Sequence, residues 1–373
     1  MHRFETTAAC RQAREAIGAA LQNLPSFRTC ALLDYPDHLN AGDHLIWLGT
    51  VLYLTVERGL DILYTSSLAD FSPAELERAA GDSPIFLQGG GNLGDLWPDS
   101  QRFRERIIST YADRPVVILP QTIHFSTDAS LRQAMKIFNA HPDLTIFARD
   151  HHSYELGSKY FEKCRVILAP DMAFFLEQVP LPSYAPSGKR EIKYLCRSDA
   201  ELDQDFSAER LGLTNIVEEN WSTYSWAYAG RGKLRDYGEW YWQIPGAIDF
   251  FRESWQRGLS RPGQLLSWRR FLEIAPYTTK LSSPSIKKYS NFSWKIFHDS
   301  ICQLLRSRLL ISNRLHGHVL ASMLGLPNIL LPGSYHKNQS FYESWSTGSQ
   351  ISSFVSEPDR VKQEAERLLS KAY

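Results

Sequence analysis

The chain has 373 residues, of which 43% are hydrophobic and 22% charged, and this length and composition predict a globular protein with two domains. Its 41 lysine and arginine residues balance 41 aspartate and glutamate residues, so there is no overall positive field and no nucleic-acid partner is expected. No apolar run approaches the length of a transmembrane segment, and Arg11, Arg14 and Glu15 interrupt the N-terminal pattern where a secretory signal would stay apolar.

The five cysteines are odd in number and scattered, and no two of them have the C-x-x-C spacing. This pattern argues against a disulfide framework and against a zinc site. It favours a cytoplasmic location, where thiols stay reduced. A single catalytic cysteine is compatible with the pattern, but no feature of the sequence favours one.

Short strands alternate with helices through the first half of the sequence. Apolar residues recur at helical spacing over Thr7–Leu24, and Ser72-Pro73-x-Glu75 combines an N-cap, a proline at the first helical position and a capping acid. Buried-type apolar runs predict strands at Thr29–Leu33, Asp61–Tyr64, Ile85–Gln88, Val116–Leu119, Leu144–Phe147 and Val166–Leu168. This alternation predicts an α/β fold, with a parallel sheet covered by helices on both faces.

A second α/β unit follows a proline-rich linker at Val179–Lys189. Its strands are predicted at Ile192–Cys196, Leu309–Ser312 and Asn328–Leu331, and its helices at Asn291–Arg306, Leu315–Leu324 and Asp359–Leu369. The segment Trp221–Trp255 is rich in tryptophan and tyrosine and receives no assignment. We therefore predict one Rossmann-like domain at residues 1–180 and another at 190–373, with the last helix either on its own domain or packed back on the first.

Five segments that directly follow predicted strands are rich in polar residues or glycine. In an open parallel sheet, ligands bind beyond the carboxyl ends of the strands, where loops lead into helix N-termini. These segments are therefore the candidate ligand site: Asn40–Asp43, Gly89–Asp95, Gln121–His124, Arg149–His152 and Asn313–His318.

The glycine run Gly89–Gly94 matches the G-x-G-x-x-G pattern of dinucleotide-binding proteins. However, the next predicted strand ends in Pro120-Gln121 and offers no acid for a ribose hydroxyl, and the glycines follow the third strand rather than the first. The pattern is also compatible with a tight turn. We favour a role in which the glycines let backbone N–H groups approach a ligand closely.

Arg314 and His316 lie where a strand leads into the first turn of a helix. Unpaired N–H groups and the helix dipole favour an anion there, and the guanidinium of Arg314 suits a phosphate or carboxylate. His316 could supply a proton or a hydrogen bond, whereas His318 is expected to pack. Arg149 follows another strand in the same way, and its alternative role is a surface salt bridge with Asp150.

The order of these segments resembles the polysaccharide pyruvyl transferases. The resemblance covers most of the chain apart from Cys196–Asn291, where no motif is recognisable. The motifs are Asn40-Ala41-Gly42-Asp43, Gly89–Asp95, Pro120-Gln121, Ala148-Arg149-Asp150, Ala169-Pro170-Asp171, Arg314–His318 and Ser334-Tyr335-His336-Lys337-Asn338 leading to Phe341-Tyr342. His336 stands where glycine is expected, and Trp221–Trp255 is idiosyncratic.

The resemblance implies a GT-B-like fold, in which two Rossmann-like, doubly wound domains face a cleft. It implies phosphoenolpyruvate as the co-substrate, a pyruvate ketal on a sugar of a cell-surface polysaccharide or its lipid-linked precursor as the product, and no metal or bound cofactor. The enzyme would have no transmembrane segment, and a peripheral position at the inner membrane face is compatible with it. The implied substrate-binding residues are Asn40, Gly42, Gly90, Gly91, Asn92, Gln121, Arg149, Arg314, Leu315, Lys337 and Asn338.

The chemistry of ketal formation fits these residue types. By the same resemblance, Arg149 and Arg314 would bind the carboxylate and phosphate of the donor, and Leu315 and His316 would line its pocket. His316 is our candidate for the acid or for the group that orients the phosphate. Asp43, Asp95 or Asp171 would be the base that takes the proton of a sugar hydroxyl. Two other functions remain open at this point: a GT-B glycosyltransferase that uses a nucleotide sugar, and a non-catalytic glycan-binding protein.

Overall fold

The computed structural model describes residues 8–179, 191–197, 206, 210–211, 213, 216–221 and 284–371. The described strands form two sheets in which every pair is parallel. Strands of the first sheet lie within residues 29–168 and strands of the second within residues 191–354. The α/β class with parallel sheets is therefore confirmed.

The first sheet has the strand order β2-β1-β3-β5-β6-β7, with β4 paired to the extended end of β5. Because the chain moves to one side of β1 for β2 and to the other side for β3, the order reverses beside β1, and such a point forms a ligand crevice in open α/β sheets. The strands are β1 Thr29–Tyr35, β2 Asp61–Ser67, β3 Ile85–Leu87, β4 Gly90–Gly94, β5 Val116–His124, β6 Leu144–Ala148 and β7 Arg165–Leu168.

Helices cover both faces of this sheet. Along β1, Cys30 and Leu32 join one buried apolar cluster, whereas Ala31 and Leu33 join another on the opposite face. The helices are α1 Ala8–Leu21, α2 Ala41–Leu52 with a π-helical end at Tyr53–Glu57, α3 Pro73–Ala80, α4 Pro98–Thr110, α5 Asp128–Phe138, α6 His151–Tyr160 and a 3₁₀ helix at Met172–Gln178. The predicted cap is confirmed, because Ser72 Oγ accepts from Glu75 N at 3.3 Å.

The second sheet has the order β12-β11-β10-β8-β9, so its reversal lies between β8 and β10. Its strands are β8 Glu191–Leu195, β9 Ile216–Glu219, β10 Ser307–Ser312, β11 Asn328–Leu330 and β12 Ser352–Phe354. Its helices are α7 Pro284–Leu304, α8 Leu315–Met323, α9 Lys337–Trp345 and α10 Pro358–Lys371. The residues after β10 thus lie at a ligand crevice of their own sheet.

The helix α7 packs against elements of the first sheet. The Tyr35 hydroxyl donates to the Tyr289 carbonyl at 3.1 Å, and His44 Nδ1 lies 2.9 Å from Ser293 Oγ. The last helix, α10, instead buries Val361 and Leu368 in the apolar cluster of the second sheet.

The described strands differ from the sequence-based predictions in two respects. Residues Gly90–Gly94 form the strand β4 and not the tight turn that was the alternative interpretation, because their backbones pair with β5, with Gly90 opposite Gln121 and Gly94 opposite His124. The short strands β9 and β12 were not predicted. The linker beyond Val179 and the aromatic segment beyond Trp221 lie outside the described residues. Among the described helices, none has the length and hydropathy needed to cross a bilayer.

Candidate active site

The Asp171 carboxylate joins the two sheets at the centre of the site. Asp171 is fully buried, and its Oδ2 accepts from Arg149 Nη1 at 2.7 Å and lies 3.3 Å from His316 Nε2. Its Oδ1 accepts from Ala173 N at 2.9 Å and so begins the 3₁₀ helix. Burial acts to raise the pKa of Asp171, but the His316 ring and the Arg149 guanidinium outweigh it and hold that pKa well below its usual range.

Two hydrogen bonds fix the Arg149 guanidinium. Besides the contact with Asp171, Arg149 Nε donates to Thr122 Oγ1 at 2.8 Å. In the described part of the chain Nη2 makes no hydrogen bond, and it lies 3.0 Å from the position that a Cβ would take on Gly91. Arg149 therefore presents one donor along β4, the glycine strand Gly90–Gly94. The alternative of a surface salt bridge with Asp150 is wrong, because Arg149 is only 1% exposed and pairs with Asp171.

His316 reaches Asp171 from the first turn of α8. A carboxylate can only accept, so Nε2 carries a hydrogen toward Asp171, and Nδ1 is the nitrogen that can exchange a proton with a ligand. Nδ1 faces α2, where a Cβ on Gly42 would lie only 2.4 Å away. The Gly42 position therefore admits the imidazole ring because it has no side chain.

A Gly42→Ala variant is expected to lower kcat/KM by about ten- to a hundredfold. The added methyl group would displace the His316 ring, and a displacement of about 1 Å in a preorganised site lowers the rate by about this factor. The measurement is steady-state kinetics, with the thermal midpoint as a check on folding. Gly18→Ala is the matched control, since Gly18 also lies in a helix and a Cβ there meets nothing within 4 Å. Equal activity of the two variants would contradict the role of this contact.

The start of α8 keeps open donors for an anion. Arg314 occupies the N-cap position without a side-chain cap, and neither Leu315 N nor His316 N has a hydrogen-bond partner in the described part of the chain. Arg314 Nε donates to Asn220 Oδ1 at 2.6 Å, so a residue next to β9 orients the guanidinium. The Leu315 side chain is buried in the same apolar cluster as Cys30 and Leu32, and this packing anchors the first turn of α8.

The start of α6 is closed to a ligand, contrary to the expectation for Arg149–His152. The N–H groups of His151 and His152 donate to Ser344 Oγ at 3.1 Å and to Ser340 Oγ at 3.3 Å. Asp150 caps the third, Ser153 N, at 2.9 Å. The backbone N–H groups at the start of α6 are therefore not open to a ligand, and Arg149 is the residue of this segment whose side chain contacts Asp171.

A buried ion pair between Arg104 and Asp34 supports the glycine strand, and the sequence analysis did not predict it. Arg104 on α4 donates to Asp34 Oδ2 at 2.6 Å, to Asn92 Oδ1 at 2.7 Å and to the Gln88 carbonyl at 3.2 Å. Gln121 Nε2 also donates to the Gln88 carbonyl, at 2.8 Å. Asn92 and Gln121 thus brace the strand on the side of Arg104, and their predicted contacts with substrate stay predictions.

Asn40 and Asp43 lie together at the start of α2. Asn40 Oδ1 caps Gly42 N at 3.3 Å, and Asn40 Nδ2 donates to Asp43 Oδ2 at 2.7 Å. The Asp43 side chain is 27% exposed, and its Oδ1 lies 3.5 Å from a Cβ position on Gly90. Asp43 therefore offers a partly solvated carboxylate between the carboxyl ends of β1 and β3.

The remaining predicted residues have structural partners. Both oxygens of Asp95 hold Ser126 N and Thr127 N, at 2.7 and 2.9 Å, and these bonds hold the pKa of Asp95 below its usual value although partial burial opposes them. Asn338 Nδ2 donates to the carbonyls of Asn313 and Leu331, both at 2.9 Å. These contacts give Asp95 and Asn338 structural roles, and their catalytic and binding roles stay predictions.

Lys337 and His336 line the side of the glycine strand that faces α9. Lys337 is buried, and its Cδ lies 3.4 Å from a Cβ position on Gly91. The His336 ring packs on His152 at 3.8 Å and lies 5.7 Å from His124, and burial and then His152 lower the pKa of His336 to about 4. No group of three or more potential metal ligands occurs among the described residues.

His318 packs and does not face the site. It is buried, with Nδ1 2.6 Å from Asn328 Oδ1 and Nε2 2.8 Å from Ser346 Oγ, and burial lowers its pKa to about 4. The pKa of a histidine in the unfolded chain is about 6.5. The neutral His318 side chain therefore stabilises the fold fully above pH 6.5, and this stabilisation is lost as the pH falls toward 4.

Between pH 7.5 and pH 5.5, the unfolding free energy of a His318→Gln variant is expected to fall by about 1 kcal/mol less than that of the wild type. The reason is that histidine takes up a proton on unfolding in this range and glutamine does not. Urea titrations at the two pH values measure the difference. His151→Gln is the control, since His151 is already exposed to solvent in the folded chain. An identical pH dependence of wild type and His318→Gln would contradict the prediction.

Comparison with known proteins identifies the family. A model of the polysaccharide pyruvyl transferases matches residues 40–243, which is more than half of the chain and includes Asn40, Arg149 and Asp171. The chain belongs to the polysaccharide pyruvyl transferase family. The resemblance inferred from the motifs is thereby confirmed, and the chain is a pyruvyltransferase of polysaccharide biosynthesis. The nucleotide-sugar glycosyltransferase alternative is not favoured.

Named relatives of this pyruvyltransferase are similar to it over most of its length. EpsO of Bacillus subtilis, named as a pyruvyl transferase, is 27% identical over 90% of this chain and 91% of its own length. Pyruvyl transferase 1 of Schizosaccharomyces pombe is 25% identical over 86% of this chain and 70% of its own length. A functionally uncharacterized Klebsiella pneumoniae protein of known crystal structure covers 94% of this chain and 99% of its own, with 18% identity and a TM-score of 0.49.

Proposed function

We propose that this pyruvyltransferase transfers the pyruvyl group of phosphoenolpyruvate to a sugar of a cell-surface polysaccharide or its lipid-linked precursor and forms a pyruvate ketal. The observation that carries the proposal is the Asp171 carboxylate, which Arg149 from the first sheet and His316 from the second sheet both contact. This contact brings one arginine, one histidine and the start of α8 close together. A small donor with two anionic groups fits such a set of donors.

The two anionic groups of the donor would bind on opposite sides of the cleft. The open N–H groups of Leu315 and His316, together with the Arg314 guanidinium, would hold one group. Arg149 Nη2, which points along the glycine strand beside Gly91, would hold the other. Arg149 and Arg314 therefore keep the roles that the resemblance implies.

His316 would protonate the methylene carbon of the donor through Nδ1, which makes the adjacent carbon an oxocarbenium-like centre. A sugar hydroxyl then adds to that carbon and gives its proton to a base. The bond from carbon to the phosphate oxygen breaks, a second hydroxyl closes the ring, and its proton leaves with the phosphate. Asp171 orients the His316 ring throughout by accepting from Nε2.

Asp43 is the base that the geometry supports best among the three candidates. The Asp171 carboxylate is fully buried and occupied by Arg149 and His316, and the Asp95 oxygens hold a loop backbone. Asp43 is partly exposed and lies beside Gly90 at the reversal of strand order in the first sheet. A base must reach the attacking hydroxyl, and the partial exposure of Asp43 supports its choice over the other two.

The proposed arrangement is GT-B-like, with the carboxyl ends of the two sheets facing each other across the donor site, in a protein that acts in the cytoplasm without a metal or bound cofactor. A lipid-linked acceptor would bring it to the inner membrane face. The test is incubation of the purified protein with phosphoenolpyruvate and candidate glycans. We expect phosphate release and an acid-labile ketal, and a melting temperature that phosphoenolpyruvate raises and nucleoside diphosphates do not. The opposite thermal response would contradict the proposal.

A further inference from the structure

Thr122 lies between two groups whose hydrogen-bonding roles are fixed. It is 1% exposed, its Oγ1 is 2.8 Å from Arg149 Nε, and the same oxygen is 3.0 Å from Asp150 Oδ2. An arginine can only donate and a carboxylate can only accept when ionised. The Thr122 hydroxyl must therefore donate to Asp150, which leaves a lone pair of Oγ1 aimed at Arg149.

The Asp150 carboxylate is itself held from several directions. It accepts from Ser153 N and Ser153 Oγ, each at 2.9 Å, and from Ser340 Oγ on α9, also at 2.9 Å. Since Ser340 belongs to the second sheet's half of the chain, Asp150 fixes the Thr122 hydroxyl by means of contacts from both halves. The chain of bonds then continues through Arg149 to Asp171 and His316.

We infer that Thr122 is a positioning residue for donor binding, which aims the Arg149 guanidinium at the anionic group of the donor. Thr122 fixes Nε and Asp171 fixes Nη1, so the plane of the guanidinium is determined and Nη2 points along the glycine strand. Without the hydroxyl, Nε would be buried without a partner, and the guanidinium would rotate toward other acceptors. The inference rests on the proposed function, because it assigns Thr122 to the binding of that donor.

The test compares Thr122→Val, Thr122→Ser and Thr65→Val in the full-length protein. Valine keeps the size of threonine and removes the hydroxyl, whereas serine keeps the hydroxyl. Thr65→Val is the matched control, because Thr65 also lies in a strand of the first sheet and its Oγ1 is buried without a hydrogen-bond partner among the described residues. The readouts are KM for phosphoenolpyruvate, kcat, and the melting temperature with and without phosphoenolpyruvate.

We expect Thr122→Val to raise KM for phosphoenolpyruvate about ten- to a hundredfold with a much smaller change in kcat, as for the loss of a buried bond to a charged group. Thr122→Ser and Thr65→Val should stay within about threefold of the wild type. A purely structural role would lower the melting temperature of Thr122→Val without a selective change in KM, and that result would overturn the inference.

Failure of the inference and failure of the proposed function give different results. A wild type that releases no phosphate from phosphoenolpyruvate contradicts the proposed function. An active wild type whose Thr122→Val variant has the same KM contradicts only the role of Thr122. Should the valine variant not fold, Thr122→Cys takes its place, because a thiol is a weak acceptor and should give a KM well above that of Thr122→Ser. Equal KM values for cysteine and serine would overturn the inference.

Discussion

An Asp171→Asn variant is expected to lose about a hundred- to several thousandfold of kcat/KM. Oδ2 contacts two donors, Arg149 Nη1 and His316 Nε2, and an amide cannot serve both while its other group accepts from Ala173 N. Removing one partner of a buried charged pair costs about 3–5 kcal/mol, which corresponds to about that loss when the pair acts in the transition state. Steady-state kinetics with phosphoenolpyruvate as the varied substrate measures it.

The control for Asp171→Asn is Asp143→Asn, since the one contact of the Asp143 side chain among the described residues is a surface ion pair with Arg165, at 3.9 Å. This control should keep its activity within about twofold. The Asp171 carboxylate, whose pKa is held low in the folded chain, stabilises the protein above the unfolded value of about 4 and loses that effect as the pH falls further. The free energy of unfolding of the asparagine variant should therefore fall less steeply than that of the wild type as the pH is lowered below about 4. Near-normal activity would show that the Asp171 contacts do not matter for the reaction.

An Arg314→Ala variant is expected to lower kcat/KM about a hundredfold or more relative to the wild type, because the start of α8 would lose the charged donors of the guanidinium. Arg314→Lys should recover only part of this loss. A lysine ammonium cannot donate to Asn220 Oδ1 in place of Nε while it also presents a second planar donor to the ligand.

The matched control for Arg314 is Arg308→Ala, because Arg308 lies on β10 of the same sheet and is exposed. Binding of phosphoenolpyruvate, followed by calorimetry or thermal shift, separates loss of affinity from loss of turnover. A fully active Arg314→Ala variant would contradict the donor site that we propose.

The fold was predictable where side chains carry a local pattern. Apolar runs identified β1 and β6, and the serine, proline and glutamate of residues 72–75 identified the start of α3, because these signals depend on neighbouring residues only. The strand β4 was missed because three adjacent glycines have no side-chain alternation, and its pairing with β5 depends on residues far along the chain.

The site was predictable only in part. Polar residues at strand ends and the family motifs indicated Arg149, Asp171 and His316, but only the structure shows that one carboxylate joins the other two. Asn220 was missed because it follows a short strand in a stretch without motifs, and Thr122 because β5 continues past the apolar run Val116–Leu119. A threonine directly after Pro120-Gln121, in the polar part of β5 that follows its apolar run, was the available signal.

The two α9 serines that cover the start of α6 also bear on the stereochemistry of the product. Because Ser340 and Ser344 occupy the N–H groups of His151 and His152, the proposed donor site has the start of α8 as its open helix start among those of α6 and α8. A donor with unlike charged ends then has one favoured orientation, so the carbon that bears its phosphate shows the acceptor a single face. We expect the ketal to form with one configuration at its new quaternary carbon.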